Sequence, residues 1–280
     1  FYNCTGLAQV EYPTSWSEML PYGNYSYTSP FQGCTALTSI TIPDGVTQIP
    51  DYAFQNCSSL VSVSLPDSLT TIGEYAFDGC SGLAELTLPT GLKSIDSYAF
   101  RGCSGLTELT LPEGLATLES YAFTNCTGLK SVAVPGSLGT LSSSVFSDCS
   151  GLQELTLGEG LSAIEANAFK GCTSLTSLSF PTSLTSLAGQ AFYNCTGLSQ
   201  LNYPTGWSKT LPYSGYSYTS PFQGCTSLAS VTIPEGVTQI PDYAFQNCSS
   251  LVSVSLPDTL TKMGTYAFNG CAQLSEIQWS

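Results

Sequence analysis

The sequence predicts a mostly β solenoid of stacked 23-residue coils. Three observations predict it. Cysteines fall at 4, 34, 57, 80, 103, 126, 149, 172, 195, 225, 248 and 271, in steps of 23 residues with two exceptions of 30. Leu stands three residues after every cysteine, from Leu7 to Leu274. Phe stands three residues before every one, from Phe1 to Phe268. One coil cannot fold alone. Its eight or so apolar side chains supply about 12–24 kcal/mol, while ordering the coil costs about 35 kcal/mol. Stacking on neighbouring coils must supply the remainder.

Each element of the coil follows in turn. The stretch LVSVSLP at 60–66 alternates like a short strand, and Pro ends it before a turn such as PDGV at 43–46. A second apolar pair, as in LTTI at 69–72, predicts a short second strand. The segment GEYAFDGC at 73–80 then predicts a short helical turn. The residue before Cys is Gly six times, Asn five times and Asp once, which predicts a left-handed backbone there.

The two long steps carry LPYGNYSYTSPFQGC at 20–34 and LPYSGYSYTSPFQGC at 211–225. They belong to a duplication, since residues 1–67 match 192–258 at 55 of 67 positions. The chain starts and stops within a coil, so flanking repeats or caps are expected in a longer parent protein. Uncapped ends also leave open a structural, filament-forming protein that associates end to end.

The pattern AFDGCSGLAELTLP at 76–89 resembles the BspA-like, or Treponema pallidum-type, leucine-rich repeats. The resemblance covers the whole chain, with Gly158 in place of Pro and Val145 in place of Ala as departures. The reading is one leucine-rich repeat solenoid over 1–280, of about twelve coils. Its parallel sheet lies on the concave face, with short second strands and short helical turns in each coil. The resemblance implies a cell-surface or extracellular location and a role in adhesion to a host protein or glycan. It supplies no catalytic motif.

Composition narrows the partners. The 20 acidic and 6 basic residues give a formal charge of −14, which opposes nucleic acid. No apolar run approaches the roughly 20 residues of a membrane span, so membrane insertion is not expected in this segment. There is no His, and no nucleophile–base set can be assembled, so no enzyme is predicted. No cofactor is expected. The cysteines share one slot of the coil, which predicts a buried ladder rather than disulfides or a metal site. Ser/Thr on the strands, such as Ser62 and Ser64, read as a solvated face. Glu85, Glu108 and Glu154 form a row interrupted by Ser131, too sparse for calcium.

Tyr12, Trp16, Tyr203 and Trp207 fall where ordinary coils carry core Leu, so packing is their first reading. Asn24 is the sequon placed on an insertion, whereas Asn3, Asn56, Asn125, Asn194 and Asn247 immediately precede Cys. The candidate binding residues are Tyr22, Tyr25 and Tyr27 with Tyr213, Tyr216 and Tyr218. They can anchor a sugar or protein, or fold back over the coil.

Overall fold

The computed structural model describes residues 1–13, 29, 31–215 and 217–279. Contacts divide the chain into two compact units, Phe1–Ala133 and Val134–Ser280. Both are built from parallel strands in 23-residue register. In the first unit, Ser39–Thr41 pairs with Ser62–Ser64, which pairs with Glu85–Leu86. A second sheet joins Gln48–Ile49, Thr71–Ile72, Ser94–Ile95 and Thr117–Leu118. The second unit repeats the scheme. Ser230–Thr232, Ser253–Leu256 and Glu276–Trp279 form its primary sheet. Thr140–Leu141, Ala163–Ile164, Ser186–Ala188 and Lys209–Leu211 form its secondary sheet. The burial pattern along Ser39–Thr41 is out, in, out, as a half-buried strand requires.

The left-handed position before Cys holds at all twelve coils, with φ between 55° and 81°. The segment expected to make a helical turn instead makes a run of four-residue turns. In 73–80 these run Ala76 N–H to Gly73, Asp78 to Tyr75 and Cys80 to Phe77. The physical reason is that Tyr75 and Gly79 are left-handed, at φ 55° and 72°, which no helix tolerates. The amides between those turns pair across coils. Tyr75, Phe77 and Gly79 donate to the carbonyls of Ser97, Ala99 and Arg101 in the following coil. Amides at the ends of the secondary strand donate the other way, as Thr70 and Thr71 do to Thr47 and Gly73 does to Ile49.

The core is a set of ladders. Phe31, Phe54, Phe77, Phe100 and Phe123 stack with ring centroids 5.1–5.5 Å apart. In the second unit Phe146, Phe169, Phe192, Phe222, Phe245 and Phe268 stack at 5.2–5.7 Å. Beside each ring lies a cysteine whose Sγ–H donates to the Phe carbonyl of the preceding coil. Ten of these contacts span 3.0–3.6 Å. The thiol therefore does two things: it fills a methyl-sized space and satisfies a buried acceptor. The described cysteines are free thiols.

Candidate functional site

The second insertion occupies the stretch between Lys209–Leu211 and Phe222. It leaves the inner ladders intact. Cys225 still donates to the Phe192 carbonyl at 3.3 Å, and Gln190, Phe192 and Asn194 still donate to Ser220, Pro221 and Gln223. Buried Ser220 closes the insertion: its hydroxyl donates to Ala244 and accepts from the Phe222 amide. Tyr203 and Trp207 are core residues, as is Tyr12 in the first copy. The Trp207 indole donates to the Lys209 carbonyl at 2.9 Å. Burial pushes the Tyr12 phenol up to about 12. Trp16 and Asn24 lie outside the described residues.

Of the six candidate tyrosines, Tyr22, Tyr25, Tyr27 and Tyr216 lie outside the described residues. Tyr213 is on the insertion, 39% exposed, with its amide donating to Ser217 at 2.6 Å. Tyr218 lies back against the coil. Its ring stacks on Tyr243 at 5.2 Å and 13°, yet it keeps 46% of its surface open. Tyr243 in turn meets Tyr266 at 5.5 Å. Tyr218 is thus packed on one side and open elsewhere.

This contact extends a feature that sequence reasoning missed. Tyr52, Tyr75, Tyr98 and Tyr121 stack at 4.7–5.0 Å, nearly parallel, along the outside of the first unit. Together with Tyr243 and Tyr266 they hold φ between 55° and 64°. That conformation costs a bulky residue about 1–2 kcal/mol, and a stacked ring pair returns about 0.5–1.5 kcal/mol. The signal was available: Tyr-Ala-Phe recurs at 52–54, 75–77, 98–100, 121–123, 243–245 and 266–268.

Arg101, the chain's single arginine, packs over Tyr75 and Tyr98 at 5.5 and 5.2 Å. It grips Asp78 through two bonds, Nε to Oδ1 at 2.7 Å and Nη2 to Oδ2 at 2.9 Å. Asp78 is only 4% exposed and also accepts from Gln55, which is bonded by Gln32. Four consecutive coils thus share one polar row, and the Asp78 hydrogen bond holds the Arg101 guanidinium above its usual range. This row reads as structural. The strand hydroxyls Ser39, Thr41, Ser64, Ser230 and Thr232 are exposed, as are Glu85, Glu108 and Glu154. Among the described residues no cluster of His, Cys, Asp or Glu could hold a metal ion. No helix among them is long and apolar enough to cross a membrane.

Comparison with known proteins follows the same lines. The profile of the BspA type leucine rich repeat region matches residues 24–153, 140–221 and 216–280. A leucine-rich repeat protein from Bacteroides ovatus is 30% identical, covering 97% of this chain and 87% of its own, with a TM-score of 0.60. The Treponema pallidum leucine rich repeat protein is 31% identical over 71% of this chain and 79% of its own, at a TM-score of 0.47. A leucine-rich repeat protein from Eubacterium ventriosum is similar in fold, at 18% identity, 93% and 77% coverage and a TM-score of 0.52. No curated protein matches in sequence.

Proposed function

The chain belongs to the BspA-type leucine-rich repeat family, and from that premise we propose that it is a non-enzymatic binding module of a cell surface or the extracellular space. Its partner is a host protein or glycan, and adhesion is its biological use. Contact is made through an extended face of low charge density, with the tyrosine-rich insertions as anchors. Tyr218 carries this reading. A ring held by stacking on Tyr243 loses little conformational freedom on binding, and its open surface offers an apolar plane with a hydroxyl.

The test is retention of the labelled protein on immobilised host extracellular matrix and on a glycan array. The Tyr213→Ala/Tyr218→Ala double variant is expected to lose about tenfold or more in apparent affinity, the range of an aromatic anchor. Equal retention of variant and wild type would remove the insertion from the binding surface.

A further inference from the structure

The second insertion ends the secondary sheet. Lys209–Leu211 ends one secondary sheet and Gln239–Ile240 begins the next, paired only with Lys262–Met263. Where a regular coil would continue the backbone ladder, the Gln239 side chain reaches the Ser208 carbonyl at 3.4 Å. The opening is a groove of about 390 Å³, within the range of small-ligand sites. Lys209, Tyr218, Gln239, Asp242, Tyr243 and Lys262 line it.

Its charge is unusual for this chain. Two of only five lysines stand at one groove, both exposed, and neither belongs to the ion pair found among the described residues. The one carboxylate, Asp242, already accepts from the Thr265 amide at 2.6 Å. Thr210 also lines the groove, is 6% exposed, and its buried hydroxyl has no hydrogen-bond partner. The duplication supplies an internal control. At the same 191-residue offset, Lys209 and Thr210 match Glu18 and Met19 of the first copy, and Lys262 and Thr265 match Thr71 and Glu74 just past it. With Asp51 matching Asp242, the first copy offers three carboxylates and no base, and the second two lysines and one carboxylate. The sequence around the two positions is shared by descent; these charges are not.

We propose that the groove beside the second insertion binds a carboxylate-bearing saccharide of the uronate or sialate class. The proposal rests on the reading of Tyr218 as an anchor and names the ligand class for that site. The sugar carboxylate pairs with the Lys209 and Lys262 ammonium groups. The ring lies against the exposed surface of Tyr218, and its hydroxyls meet the Gln239 amide and the Thr210 hydroxyl. An acidic peptide fits less well. Added-strand recognition needs a long edge, and the open edges here are three and two residues.

Isothermal titration of the whole chain with tri-galacturonate, neutral galactotriose and hexa-glutamate tests the idea. Tri-galacturonate is expected to bind, with galactotriose at least about tenfold weaker. The Lys209→Gln/Lys262→Gln double variant should weaken tri-galacturonate by about tenfold or more, the size of a charge-assisted hydrogen bond. Both lysines are exposed, so an unchanged circular dichroism spectrum and melting midpoint will show the variant folded. A wild type that ignores tri-galacturonate, or a lysine variant with unchanged affinity, overturns the proposal. Hexa-glutamate binding as tightly as tri-galacturonate overturns it in favour of an acidic peptide. Failure here with retention on matrix still lost in Tyr213→Ala/Tyr218→Ala removes the ligand class and leaves the anchor. A lysine effect without a Tyr218→Ala effect removes the anchor instead.

Discussion

The regular coils over residues 49–118 and the insertion coil over residues 190–245 use the same inner parts differently. In the regular coils the stacked phenylalanines, thiol-to-carbonyl contacts, turn amides and secondary sheet all run through, while the primary sheet ends at Glu85–Leu86 and restarts at Glu108–Thr110. In the insertion coil the first three persist, and the phenylalanine rings tilt to 16° on either side of Phe222. The secondary sheet gives way there, and the primary sheets on either side are linked by a single bridge from Asn202 to Thr232. Inner ladders bury polar backbone that has no access to water, so interrupting them leaves unpaired groups. The outer secondary sheet can be opened because its edges reach solvent. Proline helps. Regular coils place a donating amide seven residues before Cys, as at Gly73, Asp96 and Glu119, whereas the coil after the insertion has Pro241. Pro brings no N–H to leave unsatisfied.

Three measurements press on this contrast. The largest effect is expected from pH, because it strikes the ladder that both regions share. Burial raises the thiols of Cys80, Cys103, Cys172 and Cys248 well above the usual range, the hydrogen bond with Cys195 followed by burial does so for Cys225, and burial lifts Cys57 to about 12. The unfolded chain ionises its thiols near 8.5. Folded values are raised, so this contribution is complete below about pH 8.5 and is lost as pH rises toward about 12. Each such thiol removes about 1.4 kcal/mol per pH unit in that window. Far-ultraviolet dichroism is expected to show cooperative unfolding between pH 9 and 11; a chain still folded at pH 11 would contradict buried thiols.

Second comes a reciprocal proline pair. Asp96→Pro removes the bond to Ile72 inside a continuous sheet and is expected to cost about 3 kcal/mol. Pro241→Ala restores an amide at the open sheet and should change stability by less than about 1 kcal/mol. Equal costs in urea titrations would erase the distinction between the regions. The smallest effect concerns the outer row of regular coils. Arg101→Ala leaves Asp78 buried with Gln55 as its side-chain donor, and about 2 kcal/mol is expected, below the full cost of a wholly buried pair because Arg101 is half exposed. An Arg101→Ala/Asp78→Ala double variant should recover part of that loss; no recovery would mean that Arg101 acts through Tyr75 and Tyr98.

The coil was legible because its signals are local and repeated. Gly, Asn or Asp before each Cys marked the left-handed site without ambiguity. The second left-handed site was hidden because it carries Tyr75, Tyr98 and Tyr121, a residue type that disfavours that backbone unless rings stack between coils. For the same reason the segment at 73–80 read as helical. The candidate site was partly legible. Tyr218 stood out as part of an insertion, whereas Lys209 and Lys262 lie 53 residues apart and meet only where a sheet has opened. The identity between the two copies also drew the eye from the positions that differ.

The turn ladder has a consequence for growth of the array. Its amides all donate toward the following coil, so their dipoles add along the stacking axis, whereas successive peptides of a parallel strand alternate and largely cancel. A helix that lengthens likewise keeps aligned dipoles and an electrostatic polarity between its ends. Each added coil therefore extends a ladder of one sense and presents to the next coil the same donors and acceptors as the coil before it. A block of coils can be copied into the array without changing those matching faces, and the two copies can then diverge at their surfaces alone.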